Sequence, residues 1–162
     1  MSCKRKQSAG LLMYRLGDQG LEIFLVHPGG PYFTHQDDGF WGIPKGLIED
    51  GEELLGVAER EFAEETGRTL DECKTTDAIE ALGTVVQRGG KRVHAWAFEG
   101  DWPDTLEICS NTFELEWPRN SGRFVETPEV DKGHFFPLAE ARVKINDAQE
   151  TFLDRLLVIL RS

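Results

Sequence analysis

Small and apolar residues crowd Ser8 to Leu16, the cluster Leu16-Gly17-Asp18-Gln19-Gly20 follows, and Leu21 to Val26 is again strand-like. The chain is therefore expected to open with two strands joined by a hairpin. Pro28-Gly29-Gly30-Pro31 breaks the pattern and begins a loop to Gly39 that carries His35, Asp37 and Asp38. Phe40-Trp41-Gly42-Ile43-Pro44 is a short apolar piece ended by proline. Leu54, Ala58 and Phe62 then recur at i+4 with Leu55 on a flank, the apolar stripe of a helix. Asp50 as N-cap with Glu53 as its capping-box partner is expected to start that helix, and Gly67 to stop it.

Beyond the helix, Ile79 to Gln87 and Arg92 to Glu99 read as strands joined through Arg88-Gly89-Gly90-Lys91. Ser110 to Trp117 reads as another, followed by a loop from Pro118 to Gly122. His134-Phe135-Phe136 is short and apolar, and Pro137 suits the first turn of a helix. Asp147 to Leu160 is an amphipathic helix with Asp147 and Glu150 as a second capping box and Phe152, Leu156 and Ile159 on one face. Strands, helix, strands and helix in that order favour an α+β or mixed α/β domain over an all-β one.

A chain of 162 residues has the length of one domain, 1–162, with a real core. Its net charge of -11 repels polyanions, so duplex nucleic acid is not an expected partner. A phosphate-bearing substrate would need local cations or metal ions to overcome that field. Cys3, Cys73 and Cys109 are an odd count without a short paired spacing, which suggests neither a disulfide framework nor a zinc knuckle and favours a reduced, cytoplasmic setting. Lys4, Arg5 and Lys6 precede no apolar run of signal-peptide type, and no stretch reads as a membrane span. These features leave the oligomeric state open.

The acids on the central helix carry the chemistry. Glu61, Glu64 and Glu65 stand at i, i+3 and i+4, on one helical face within reach of a common point. Three like charges so placed destabilise a bare helix, and hard oxygen ligands of this kind match Mg²⁺ or Mn²⁺. Arg60 can pair with Glu64 or with Glu52 at the helix start and so orient an acid. For an arbitrary glutamate-rich helix, a solvated acidic face is the commoner explanation. Here the pattern is wider: Gly46, Glu52, Arg60, Glu61, Glu64, Glu65 and Gly67 hold fixed spacings, with Phe62 at a bulky apolar position. Seven such identities arise by chance on the order of once in a million chains of this size.

With that signature the chain resembles the Nudix hydrolases, and Trp41 to Gly46 matches the family's Trp-x-x-Pro-Lys-Gly lead-in. Arg68 departs from it, since an aliphatic residue is usual after the last glycine. The resemblance implies an α/β/α sandwich around a mixed sheet and cleavage of a nucleoside diphosphate linked to another moiety. It implies Mg²⁺ held by Glu61, Glu64 and Glu65 with the backbone carbonyl near Lys45. One glutamate, of this cluster or from a later loop, would serve as general base, with Arg60 and Glu52 orienting. The surroundings of the box are most similar to the branch that hydrolyses dinucleoside polyphosphates such as diadenosine tetraphosphate. Nucleoside triphosphates are a further substrate the resemblance allows; RNA 5′ ends, ADP-ribose or nucleotide sugars are the alternatives within the family, and a non-catalytic nucleotide-sensing module is the alternative of another class.

Candidates for substrate contact are Lys45 and Gly46 at the box entry, His35 in the preceding loop, and Glu114 and Trp117 on the later strand. Lys91 and Arg92 are further cations in a hairpin. Phe113, Phe135 and Phe136 join Trp117 as aromatics able to stack a base, although each such ring is more often core. Glu114 and Glu116 alternate around Leu115 and so share one strand face. His94, inside a strand pattern, reads as a satisfied structural residue.

Overall fold

A computed structural model describes residues 6–103 and 107–161; Cys3, Lys4 and Arg5 lie outside the described residues. The strands are β1 (Gln7–Gly17), β2 (Gly20–Pro28), β3 (Lys45–Leu47), β4 (Lys74–Val86), β5 (Arg92–Gly100), β6 (Thr112–Glu116), β7 (Phe124–Pro128) and β8 (Val130–Pro137). The helices are α1 (Leu54–Thr66), α2 (Leu70–Cys73), α3 (Leu138–Lys144) and α4 (Glu150–Leu160).

β1 is the hub of the sheet. One edge takes β5 in parallel along Gln7 to Tyr14, while the other is shared between two antiparallel partners, β3 against Ser8 to Gly10 and β2 against Tyr14 to Gly17. The order across the sheet is β4-β5-β1-β2-β8, and β6 and β7 form a separate hairpin. The parallel β1–β5 pair among antiparallel ones makes the sheet mixed, as expected.

Period-two alternation sorts the apolar residues into two cores. Leu12, Ile23, Leu25, Ala95 and Phe136 face α4, whose Phe152, Leu153 and Leu156 are fully buried. Leu11, Met13, Phe24, Phe98 and Phe135 face α1 through Val57, Ala58 and Phe62. Helices therefore cover both faces, giving the α/β/α sandwich. Phe62 meets Phe98 edge-on at a centroid distance of 5.5 Å. Burying a side chain of that size contributes about 1.5–3 kcal/mol, which pins α1 to the sheet.

Two expected caps differ. Asp50 does not cap α1: Asp50 and Gly51 belong to a turn in which Gly51 has φ 83, and Glu52 accepts the Glu49 N–H at 2.9 Å. The helix starts after Glu53, which occupies the N-cap position without a side-chain cap bond. At the second site Asn146, not Asp147, accepts the Ala148 N–H, at 3.0 Å; Asp147 to Gln149 form a 3₁₀ turn before α4. Pro137 is the N-cap of α3, one place ahead of its first turn. Gly67 does end α1, left-handed at φ 89. The short β3, α2 and β7 carry too few periodic positions for the sequence to show them. Among the described residues no helix is long and apolar enough to cross a membrane.

Candidate active site

The entry to α1 is built around a close approach. β3 runs alongside the helix, and a Cβ on Gly46 would coincide with the carboxylate of Glu61. Only glycine leaves that space. Next to it the Lys45 N–H donates to Glu65 Oε1 at 3.2 Å. The helical spacing brings Glu61 and Glu65 to the same side, and Glu61, only 8 % exposed, is held against the sheet.

A third acid reaches them from far along the chain. Glu129 lies between β7 and β8, where its N–H donates to the Asn111 carbonyl and its own carbonyl accepts the Gly29 N–H. One ligand oxygen each from Glu61, Glu65 and Glu129 can be chosen so that all lie within 4.8 Å of one another. Sequence reasoning did not find Glu129; nothing in its local spacing marks it. Glu64 stands beside this trio, and its charge raises the pKa of both Glu61 and Glu129.

All three carboxyls are shifted in one direction. Burial raises Glu61, with Glu64 adding to it, and burial likewise raises Glu129. Glu65 is pushed up to about 8 by burial, against the opposing pull of the Lys45 charge and N–H. The protein alone thus under-compensates the charged form of the cluster. Three hard oxygen donors in that condition are suited to a divalent cation.

Arg60 binds the remaining acids together. Its Nη1 lies 3.1 Å from Glu61 Oε1 and 3.4 Å from Glu64 Oε1, and its Nη2 lies 3.3 and 3.2 Å from the two Glu52 oxygens. Both expected pairings of Arg60 are present at once. Across the cleft, Lys91 is pushed down to about 8 by burial first, then by the adjacent Lys45. Lys45, Gly46, Lys91, Glu61, Glu65 and Glu129 border one open cleft of about 470 Å³, where Phe113 also contributes.

Other candidates lie elsewhere. His35 is exposed in its loop and outside the clefts that the acids border. Phe113 faces the acids, so alternation along β6 turns Glu114 away, opposite Glu126. Glu116 instead accepts the Asn120 and Gly122 N–H groups. Trp117 meets Tyr32 edge-on at 5.0 Å, beyond the acid cleft. Phe135 and Phe136 are core residues, one in each layer. His94 is satisfied between Thr84 Oγ1 and Gln7 Oε1 at 2.8 and 2.7 Å.

Fold and site together define a pyrophosphatase-type hydrolase. The NUDIX domain model matches residues 4–156, and the chain belongs to that family. A C. elegans Ap4A hydrolase in a binary complex is similar at 24% identity, covering 96% of this chain and 98% of that one, with a TM-score of 0.63. The NUDIX domain of Shewanella oneidensis NrtR, complexed with ADP ribose, is 18% identical over 98% of this chain and 90% of its own, at TM-score 0.65. The C-terminal domain of mouse MUTYH, solved with human PCNA, is 13% identical over 98% and 92%, at TM-score 0.59. At these identities the likeness is one of fold.

Proposed function

We propose that the protein is a Mg²⁺-dependent pyrophosphohydrolase, with Mn²⁺ able to substitute, acting on dinucleoside polyphosphates of the diadenosine tetraphosphate type. The observation that carries this reading is the sharing of one cleft by the Glu61–Glu65–Glu129 trio and the Lys45–Lys91 pair. Two ammonium groups in contact suit a chain of phosphates better than a single one, since each added phosphate brings further negative charge between them. The likeness in fold to an Ap4A hydrolase agrees with that choice.

Glu61, Glu65 and Glu129 would hold the ion, with Glu64 and the peptide at Lys45 alongside. When bound, the ion supplies positive charge against the phosphate oxygens and makes water a stronger acid. The rest falls to the chain. Lys45 and Lys91 hold the phosphates, Arg60 and Glu52 orient Glu61 and Glu64, and a carboxylate of the cluster accepts the proton of the attacking water. Phe113 replaces Trp117 as our choice of stacking ring beside the acids. The free thiols of Cys73 and Cys109 suit a cytoplasmic enzyme.

A panel of diadenosine polyphosphates, triphosphorylated RNA ends, ADP-ribose, nucleotide sugars and dNTPs with Mg²⁺ tests the reading. Diadenosine tetraphosphate is expected to lead by about 10-fold or more in kcat/KM. Preference for a nucleotide sugar would overturn the substrate choice. No hydrolysis of any member, with nucleotide binding detected by calorimetry, would make the protein a sensing module instead.

A further inference from the structure

Helix α1 leaves the carbonyls of its last turn without partners inside the helix. The Gly67 N–H takes that of Ala63. Two more are taken by a segment from far along the chain: the Cys109 N–H donates to the Thr66 carbonyl at 3.0 Å, and the Asn111 N–H donates to the Glu64 carbonyl at 2.7 Å. This approach depends on Gly67, where a Cβ would come within 2.8 Å of the Cys109 carbonyl oxygen and 2.9 Å of the Cys109 Cβ. The glycine that ends the helix therefore also admits the segment to its end.

The same residues hold the acid that comes from outside the helix. The Asn111 carbonyl accepts the Glu129 N–H at 2.9 Å, so one residue joins Glu64 on the helix to Glu129 beyond it. Ser110, half-buried just ahead of β6, binds the next residue along. Its Oγ accepts the Val130 N–H at 3.1 Å, and its one hydrogen is offered to the carbonyls of Val130 and Asn111, each 2.9 Å away. Glu129 itself lies in the gap between β7 and β8, beside the point where the pairing of β8 with β2 shifts register between His27 and Pro28. Strand pairing thus leaves its position to other bonds.

We infer that Cys109 to Asn111 form a strap that sets the distance of Glu129 from Glu61 and Glu65, with Ser110 as a positioning residue of the acid trio. The inference rests on the metal reading above and adds a residue that borders neither acid-lined cleft. A shared ion needs oxygens from all three acids to converge. Glu61 and Glu65 are fixed to each other by the helix they share, whereas Glu129 takes its place from the strap on one side and the Gly29 N–H on the other. Groups that stand behind a metal ligand orient it, and their loss costs about 10- to 100-fold in metal affinity. Ser110 stands in that relation to Glu129 through the neighbouring peptide.

Calorimetric titration with Mn²⁺ of wild type, Ser110→Ala, Glu129→Gln and the double variant tests the strap. Ser110→Ala is expected to weaken Mn²⁺ binding by about 10-fold in the wild-type background. In the Glu129→Gln background it is expected to add less than about 2-fold, because the serine acts through that acid. Mn²⁺ affinity of Ser110→Ala within about 2-fold of wild type would overturn the inference, even with a lowered Tm. So would an equal loss in both backgrounds, which would place the effect of Ser110 elsewhere. If Ser110→Ala fails to fold by circular dichroism, amide hydrogen exchange of wild type decides. Mg²⁺ is then expected to slow the Glu129 and Asn111 amides together by about 10-fold, and the absence of joint slowing would overturn the strap. Wild type that binds no Mn²⁺ would defeat the metal reading and the inference with it, whereas binding indifferent to Ser110 defeats the strap alone.

Discussion

The carboxylate of Glu61 lies where a side chain on Gly46 would begin. Strand β3 and helix α1 meet through that contact, so the glycine sets the position of an acid in the cluster as well as the path of the backbone. Gly46→Ala is expected to push the Glu61 carboxylate away from Glu65 and Glu129. A misplacement of about 1 Å at such a site costs about 10²-fold in turnover. Glu61 can swing toward the open cleft, so the expected loss of Tm is small. A kcat near wild type in a folded Gly46→Ala protein would contradict this account of the contact.

Glu65 gives the metal-free protein a characteristic pH response. Its carboxyl rises from the ordinary 4.5 to about 8 in the fold, chiefly through burial. Between those values the native state binds more protons than the unfolded chain, so stability is greatest below the lower value and falls as pH rises toward the upper one. Glu61 and Glu129 shift in the same direction and reinforce the trend. Glu65→Gln is expected to flatten the fall of Tm with pH in chelator-treated protein. A cation also competes with the Glu65 proton, so Mg²⁺ binding near neutral pH is expected to release a proton, measurable by calorimetry in buffers of different ionisation enthalpy.

How much of this was legible in the sequence depends on how local each relationship is. The stripe of Leu54, Ala58 and Phe62 and the stop at Gly67 are determined within a few turns of chain, so they could be read directly. Arg60 and its acids are likewise neighbours on one helix and its entry turn. The cap at Asp50 was misplaced because Asp50-Gly51 serves equally as a turn, and the tertiary path of β3 into α1 selected the turn. Glu129 was invisible for a different reason. It reaches the site through the pairing of β8, and a lone glutamate has no periodicity to announce it. Phe135 and Phe136 show the reverse case, in which aromatic candidates were absorbed by the two cores on opposite faces of one strand.

Arg60 joins three carboxylates with one guanidinium. With 41% of its side chain exposed, its pairs are expected to contribute only about 0–1 kcal/mol to stability. Their effect on geometry is larger, because without Arg60 the acids Glu52, Glu61 and Glu64 repel one another. Arg60→Ala is expected to lower kcat by about 10-fold or more with little change in Tm. Arg60→Lys is expected to restore little, since a single ammonium cannot reproduce the fork that spans both Glu52 oxygens and the Glu61–Glu64 pair. Full rescue by lysine would show that charge alone suffices.

Lys91 carries the last prediction. Burial first, and Lys45 next, bring its ammonium down from 10.5 to about 8. Between these values the unfolded chain binds more protons than the native protein, so this lysine makes stability rise with pH across the window. A bound phosphate chain has the opposite effect on the group, since the anion favours the charged lysine. Substrate binding slightly above pH 8 is therefore expected to take up a proton, and KM to increase as pH climbs through that range. Lys91→Met is expected to raise KM by about 10-fold at neutral pH and to remove this part of the pH dependence, with kcat less affected. Unchanged KM at every pH would place the phosphates elsewhere in the cleft and leave Lys45 as the cation to examine.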